Sequence, residues 1–541
     1  MKTIEFPTQQ RLFDPFEGVI GPMGRKMIDN GWQGLFRQVL LEQMPVALIG
    51  EGLSDSQGRP SVELHAITAL LLIREFQGWT VPQTHEALLF RTDIQFALNL
   101  EPGTEITQRT IERYIARMQS NEKISEEIFA KVTDTLLKSM EVKVKKQRLD
   151  STHVLSDMAN LGRAQMIGVA LRRFFHKLDK YDQKSGQAAV LERIDAELLG
   201  RYRKQSDSRI FGDCRTTEQR KVALQQAAED LAQVISQLAQ YEPICKWDAF
   251  KQLQTIFHQQ CELREEFVEV RQKTGGRIIV NTSDPQASVS GHKGAGYQVQ
   301  LSETLNDQGL PNFITAAKVE TASDNDANAL LPVLADLKER NVMPEELLAD
   351  TLYGGDSNIE AAKKDGVDLV TPVPGEKKFD PEEIRYDQFQ LNDKKELVAC
   401  PAGHAPKSTN FNAKGDYTFA QMDPQQCLHC PLLARCRVQR DPKTKQPTGR
   451  IQFTQSAVRA DHRRLRQASD EFREKYRWRA GIEGTISCLK RRTGLTRLRV
   501  RGRKAVKLSV LLKLTGWNVL RAAALRLVVG KTIAELAMQA S

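Results

Sequence analysis

The opening residues, MKTIEFPTQQ, lack the apolar stretch of a secretory leader, and no apolar run reaches the ~18 residues a membrane-spanning helix needs. These absences lead to the expectation of a cytoplasmic protein with no membrane partner. Cysteine is scarce at 8 of 541 residues, so in a reducing compartment the cysteines are expected as thiols or metal ligands, not disulfides. No GxxxxGK[ST] occurs, which excludes a P-loop ATPase. No GxSxG occurs either, and the adjacent residues of Asp150-Ser151-Thr152-His153 do not make a hydrolase triad. Acid is missing from Lys490 to Lys507, where nine lysines and arginines stand.

What is present is the composition of a folded protein, with 40% hydrophobic and 27% charged residues. The length predicts roughly two to four domains. A net charge of +10 and a pI near 9.1 suggest a polyanionic partner, and the local clustering of the cations favours nucleic acid over a membrane surface.

Helical patterns come first. VELHAITALLLIREFQGW, from Val62, sets Leu64, Ile67, Leu71 and Phe76 near one face, and Gly78 ends it. Thr80 before Val81-Pro82 reads as the next cap. A third helix runs from Thr107 or Thr110 to Met118, with Ile111, Tyr114 and Ile115 apolar. Residues 1–135 therefore read as an all-α domain, of possible helix-turn-helix type. The segment 140–160 turns β-permissive and carries Asp150 late in a strand. Residues 161–274 read as a helical insertion, in which Leu224, Ala227, Leu231, Val234, Leu238 and Tyr241 follow an a/d pattern suited to packing within the chain.

Strands resume in 275–395. GYQVQL (296–301) and FITAAKVET (313–321) are joined through a turn signal at Asn306–Gly309. Asp324 or Asp326 is expected to cap a helix from Ala327, ELLAD (346–350) is a short strand, Ser357 caps a helix, and 367–373 is a strand. The segment 396–450 is polar and loop-rich, with too little apolar content for a core of its own. The segment 451–510 holds a core helix and basic run, and 511–541 a last amphipathic helix and tail.

The most informative stretch is EFREKYRWRAGIEGTISCLKRRTGLTRLRVRGRK, from Glu471 to Lys504. Taken as one helix, at ~100° per residue, it sets Tyr476, Arg479, Glu483 and Lys490 within ~60° of one another. Trp478, Ile482, Ile486 and Leu489 form a second stripe spaced for burial, and Gly494 is a helix stop. A lone carboxylate among cations is either a salt-bridge partner or a metal ligand in a phosphate-binding face.

Tyr476-x2-Arg479-x3-Glu483-x6-Lys490 resembles the YREK signature of DDE-type insertion-sequence transposases. The resemblance covers most of the chain from Lys143 to about Leu525. With the strand order, it implies a mixed α/β protein: an RNase H-like catalytic core with a helical insertion, an N-terminal all-α domain that binds the element's ends, and a small cysteine-rich insertion. It implies that Asp150, Asp350 and Glu483 form a carboxylate triad. Asp150 bridges two Mg2+ (or Mn2+) ions, and Asp350 and Glu483 hold one each. Two such ions stabilise both the attacking and the leaving oxygen of an in-line displacement. Tyr476, Arg479 and Lys490 are implied to touch the DNA end. Gly354-Gly355 after Asp350 would admit a phosphate backbone. Asp157, Asp284, Glu303, Asp326 and Asp356 are rival carboxylates, Asp356 read as a turn or capping residue.

Two further groups stand apart. Cys400, Cys427, Cys430 and Cys436 have the spacing of a structural zinc site, with His404 or His429 as alternative ligands. Arg491, Arg492, Arg497 and Arg499 abut the carboxylate helix and suit phosphate contact. The expected function is DNA cleavage and strand transfer at terminal inverted repeats, by a homo-oligomer, a dimer on double-stranded DNA. The alternatives are a DNA-binding protein without catalysis and a metal-dependent nuclease that does not join strands.

Overall fold

Nine residues, Lys146–Val154 (β1), form the strand on which the molecule is assembled. The computed structural model describes residues 1–5, 13–185, 190–265, 267–306, 310–375, 382–530 and 535. Residues 307–309 of the expected turn and most of the C-terminal tail lie outside them.

β1 pairs antiparallel with Gly294–Thr304 (β2), which pairs antiparallel with Ile314–Thr321 (β3). On its other edge β1 runs parallel to Glu346–Ala349 (β4), and β4 runs parallel to Asp368–Val370 (β5). The order across the sheet is β3-β2-β1-β4-β5, with a short strand, Ser288–Ser290, also on β2.

Alternation along β1 sends Leu149 to one core and Val154 to another. Leu149, Leu347, Ala349 and Leu369 meet the N-terminal helices, chiefly Leu64–Gln77 (α1) and Glu122–Ser139 (α2). α1 is buried almost all round, Gly78 closes it in the left-handed conformation, and Thr80 forms a capping box with Gln83. Thr107, not Thr110, caps the helix Gln108–Ser120. Val154, Tyr297, Val299, Leu301 and Val319 meet Ile482, Ile486 and Leu489 on the opposite face. The helix Arg503–Val529 contributes to both cores, so it is not amphipathic as expected. Arg503–Arg526 is long and apolar enough to cross a membrane, but 78% of its apolar window is buried in the protein.

Between β1 and β2 the chain makes Arg163–Ser185, Thr217–Leu238 and Asp248–Gln260, helices around a core of their own that includes Phe174, Phe175, Leu231, Val234 and Phe250. A small hairpin, Cys261–Arg264 with Phe267–Val270, follows. After β3 the expected aspartate cap gives way to Asn325, which caps a short 3-10 turn ahead of Leu330–Glu339.

The cysteine-bearing segment differs from its reading as loop. Ser408–Asn412, Tyr417–Gln421 and Arg450–Thr454 make a three-stranded antiparallel sheet. Ile384, Phe389, Leu397, Met422, Val438, Ile451 and Phe453 form a core beneath it. The polar composition hid this core because its apolar residues are dispersed among strands and turns.

Candidate active site

β1 and β4 run parallel with Leu149 beside Ala349, and the next residue on each chain is an aspartate. Asp150 lies mid-strand, not near the strand end as expected, because β2 continues beside β1 to Val154 while β4 stops at Ala349. Beyond that point the second edge of β1 is free of β4. Ligand sites in sheets with parallel strands commonly form at such carboxyl ends. The Asp150 carboxylate accepts from the Ser151 backbone N–H at 2.8 Å. Asp350 caps the turn Thr351–Tyr353, its Oδ1 accepting from the Leu352 N–H at 2.8 Å. Its carbonyl accepts from the Thr371 hydroxyl at 2.6 Å. Of the two following glycines, Gly354 is pressed against the Pro372 carbonyl, where a Cβ would stand 2.6 Å away, and only Gly355 has open space.

The Glu471–Thr493 stretch is not one helix. Asp470–Tyr476 (α3) ends in a 3-10 turn, Arg477–Ala480, and a new helix, Gly481–Thr493 (α4), begins. Arg148 meets this turn, donating to the Trp478 carbonyl at 2.8 Å, which also accepts from the Gly481 N–H. Trp478 leaves the buried stripe and is 40% exposed, while Ile482, Ile486 and Leu489 are buried as expected. The turn swings Arg479 between two carboxylates. Nη2 lies 2.7 Å from Asp150 Oδ2, and Nη1 lies 2.8 Å from Glu483 Oε1. The Asp150 and Arg479 side chains are only 13% and 17% exposed, whereas that of Glu483 is 64% exposed. The Tyr476 ring stacks on Phe472 at 5.5 Å.

Charge ties these groups together. Burial raises the Asp150 pKa, Asp350 and Glu483 push it the same way, and Arg479 and the Ser151 N–H oppose them. Burial also raises the Tyr476 phenol, helped by Asp350, Asp150 and Glu483 and opposed by Arg479. Direct contact joins three of these groups, Asp150, Arg479 and Glu483. Lys490, two turns beyond Glu483, is pushed below its ordinary value by burial and then by Lys293. Lys293 carried no signal in the sequence. It reaches Ser151 Oγ at 2.9 Å and stands 3.9 Å from Asp326. Arg148 also went unread, as a lone charge between Gln147 and Leu149 in a strand.

The rival carboxylates are engaged elsewhere. Glu303 pairs with Arg148, and Asp157 with Arg501. Asp284 accepts from the Tyr297 hydroxyl, and Asp326 from Ser151 and Gln300. Asp356 is the first residue of its helix, with Gly355 and not Ser357 at the cap, and takes both arms of Arg459 at 3.0 and 2.6 Å. Arg491, Arg492, Arg497 and Arg499 are exposed; Arg491 donates to the Cys488 sulfur and Arg499 to the Gly78 carbonyl.

Among the described residues, no group of three or more His, Cys, Asp or Glu is disposed to hold a metal ion. At the carboxylates, the Arg479 guanidinium stands between Asp150 and Glu483. The carboxylates of Asp150 and Glu483, which share one cation, and that of Asp350, one residue past the β1–β4 pairing, are oxygen donors of the kind Mg2+ or Mn2+ takes. At the cysteines, Cys400, Cys427, Cys430, Cys436 and His404 line one cavity of about 20 Å3, which His429 does not line. Burial, then the neighbouring Cys436, Cys400 and Cys430, push the Cys427 thiol up to about 11. The remaining cysteines are dispersed, Cys261 buried and Cys488 exposed.

Residues 399–523 match the family model described as the transposase DDE domain. The matched segment holds the cysteines, Glu483 and Lys490 but stops short of Asp150 and Asp350 in the chain. It supports a DDE-type transposase, and with it an enzyme of the polynucleotidyl transferase kind that acts on DNA. Searches of curated proteins and of solved structures return no match.

Proposed function

We propose that the protein is the transposase of an insertion sequence, cutting DNA at terminal inverted repeats and joining the freed ends to a target. The observation that supports this is the register of β1 and β4, which leaves Asp150 and Asp350 each one residue past the last pair, Leu149 with Ala349, together with the Arg479 bridge that ties Asp150 to Glu483. The sheet order β3-β2-β1-β4-β5, with β2 antiparallel inside it, supports an RNase H-like core interrupted by the helical segment after β1.

Asp150, Asp350 and Glu483 would hold the divalent ions, Mg2+ or Mn2+, which when bound supply charge stabilisation to attacking and leaving oxygens. The chain's own residues do the rest. Tyr476, Arg479 and Lys490 bind the end and orient its scissile phosphate, and Arg491, Arg492, Arg497 and Arg499 follow the backbone onward. Water attacks phosphorus, the P–O3′ bond breaks, and a 3′-hydroxyl is left on the element with a 5′-phosphate on the flank. The 3′-hydroxyl then attacks a target phosphodiester and expels the target's own 3′-hydroxyl. Residues 1–135 would recognise the repeat, and two copies would bring two ends together. Cys400, Cys427, Cys430 and Cys436 would hold a structural Zn2+.

The test is a strand-transfer assay on element-end duplex with Mg2+. Joined product is expected. Cutting without joining would make the protein a nuclease, and binding alone a transposase that has lost its chemistry.

A further inference from the structure

Beneath the Arg479 bridge lies a second ion pair, closed to solvent. Arg148 stands on β1 two residues before Asp150, hence on the same face of the sheet. Glu303 faces it directly across the β1–β2 ladder. The Arg148 side chain is 6% exposed and that of Glu303 0%, with Nε and Oε1 2.5 Å apart.

A buried ion pair of this kind is weak evidence for stability, because its desolvation offsets its attraction and an apolar pair of equal volume often serves as well. Arg148 does something an apolar residue cannot. With Nε spent on Glu303, its Nη1 donates to the Trp478 carbonyl at 2.8 Å, the residue before Arg479. Gly481, two residues before Glu483, comes against the same guanidinium. A Cβ there would overlap Nη1 and lie 2.8 Å from Cζ, so only glycine allows the approach. One buried side chain thus touches β1, the turn that carries Arg479 and the start of the helix that carries Glu483.

We propose that Arg148, held by Glu303, is a positioning residue that pins the Trp478–Gly481 turn to β1 and so sets where Arg479 and Glu483 stand relative to Asp150. The inference rests on reading those three residues as a strand-transfer site. Lysine cannot replace it, since a single ammonium lacks the planar fork that meets a carboxylate and a carbonyl at once.

Two variants test it in full-length protein. Arg148→Lys keeps the charge opposite Glu303. The double variant Arg148→Met/Glu303→Leu leaves no lone buried charge and so guards against a chain that fails to fold. Each is labelled with 5-fluorotryptophan, the Trp478 signal being assigned with Trp478→Phe. Both should move the Trp478 resonance and leave those of the other tryptophans in place. Both should weaken Mn2+ binding by the DNA-free protein, read by electron paramagnetic resonance. Nicking of end duplex should slow by ~10–100-fold at unchanged end affinity, the cost of a misplaced group. Arg340→Lys, at a distant pair with Asp134, should do none of this. An unmoved Trp478 resonance in both variants overturns the proposal, as does nicking that falls only in step with the folded fraction. If wild-type protein neither binds Mn2+ nor nicks DNA, the strand-transfer reading fails, while the Trp478 resonance still decides the positioning claim.

Discussion

Arg479 pairs with Asp150 and Glu483 at once, which puts a guanidinium where a divalent ion is proposed to sit. Arg479→Ala should therefore tighten Mn2+ binding, because the competing cation is gone. The same change should reduce the salt slope of end-DNA binding by about one, the loss of a single phosphate contact, and cut nicking further than binding. A salt titration of wild type and variant checks this; parallel slopes with equal nicking would reduce Arg479 to a structural ion pair. Lys490 makes a pH-dependent claim. Burial and Lys293 hold its pKa below the ordinary 10.5, so its proton leaves early as pH rises, whereas a bound phosphate favours the charged form. End affinity should fall on approaching that range in wild type and hold in Lys490→Arg, whose guanidinium stays charged. Equal profiles in an affinity titration would show that Lys490 meets no phosphate. The type and spacing of Tyr476, Arg479, Glu483 and Lys490 were legible in the sequence. Their electrostatics were not, since Lys293 and Arg148 reach the site only through the sheet.

At the level of elements, the helical stripe was half right. Ile482, Ile486 and Leu489 do face the core, because period and burial agree over α4. Trp478 departs from it and is 40% exposed, while its carbonyl accepts from Arg148, and no local pattern announces a partner 330 residues away. The cysteine segment repeats the lesson. Its CxxC spacing was visible, but the core under Met422, Ile451 and Phe453 was not, being gathered from separate strands. If Cys400, Cys427, Cys430 and Cys436 hold zinc, freshly purified protein should contain about one zinc per chain, and its removal by chelator should lower the melting temperature. Cys427→Ser should lower stability by a similar route. Metal analysis finding no zinc, with chelator leaving the melting temperature unchanged, would show that apolar packing alone supports the segment.

For the whole molecule, the order of strands and helices could be read because each strand carries its own alternation. What could not be read is that β1 is shared by two cores, and that β4 stops one residue short of Asp350 while β1 continues past Asp150. The parallel register puts two aspartates, 200 residues apart in sequence, each one residue past the last β1–β4 pair, with Glu483 joined to Asp150 through Arg479. The central claim is that these three carboxylates act as one unit on DNA. The direct measurement is single-turnover nicking of end duplex in Mg2+ by wild type, Asp150→Asn, Asp350→Asn, Glu483→Gln and the triple variant, with end affinity measured alongside. The account predicts that each single variant loses nearly all nicking at near-normal affinity, and that the triple variant is little worse than any single one, because the members of one site are not additive. Wild-type nicking in any of the single variants would contradict it.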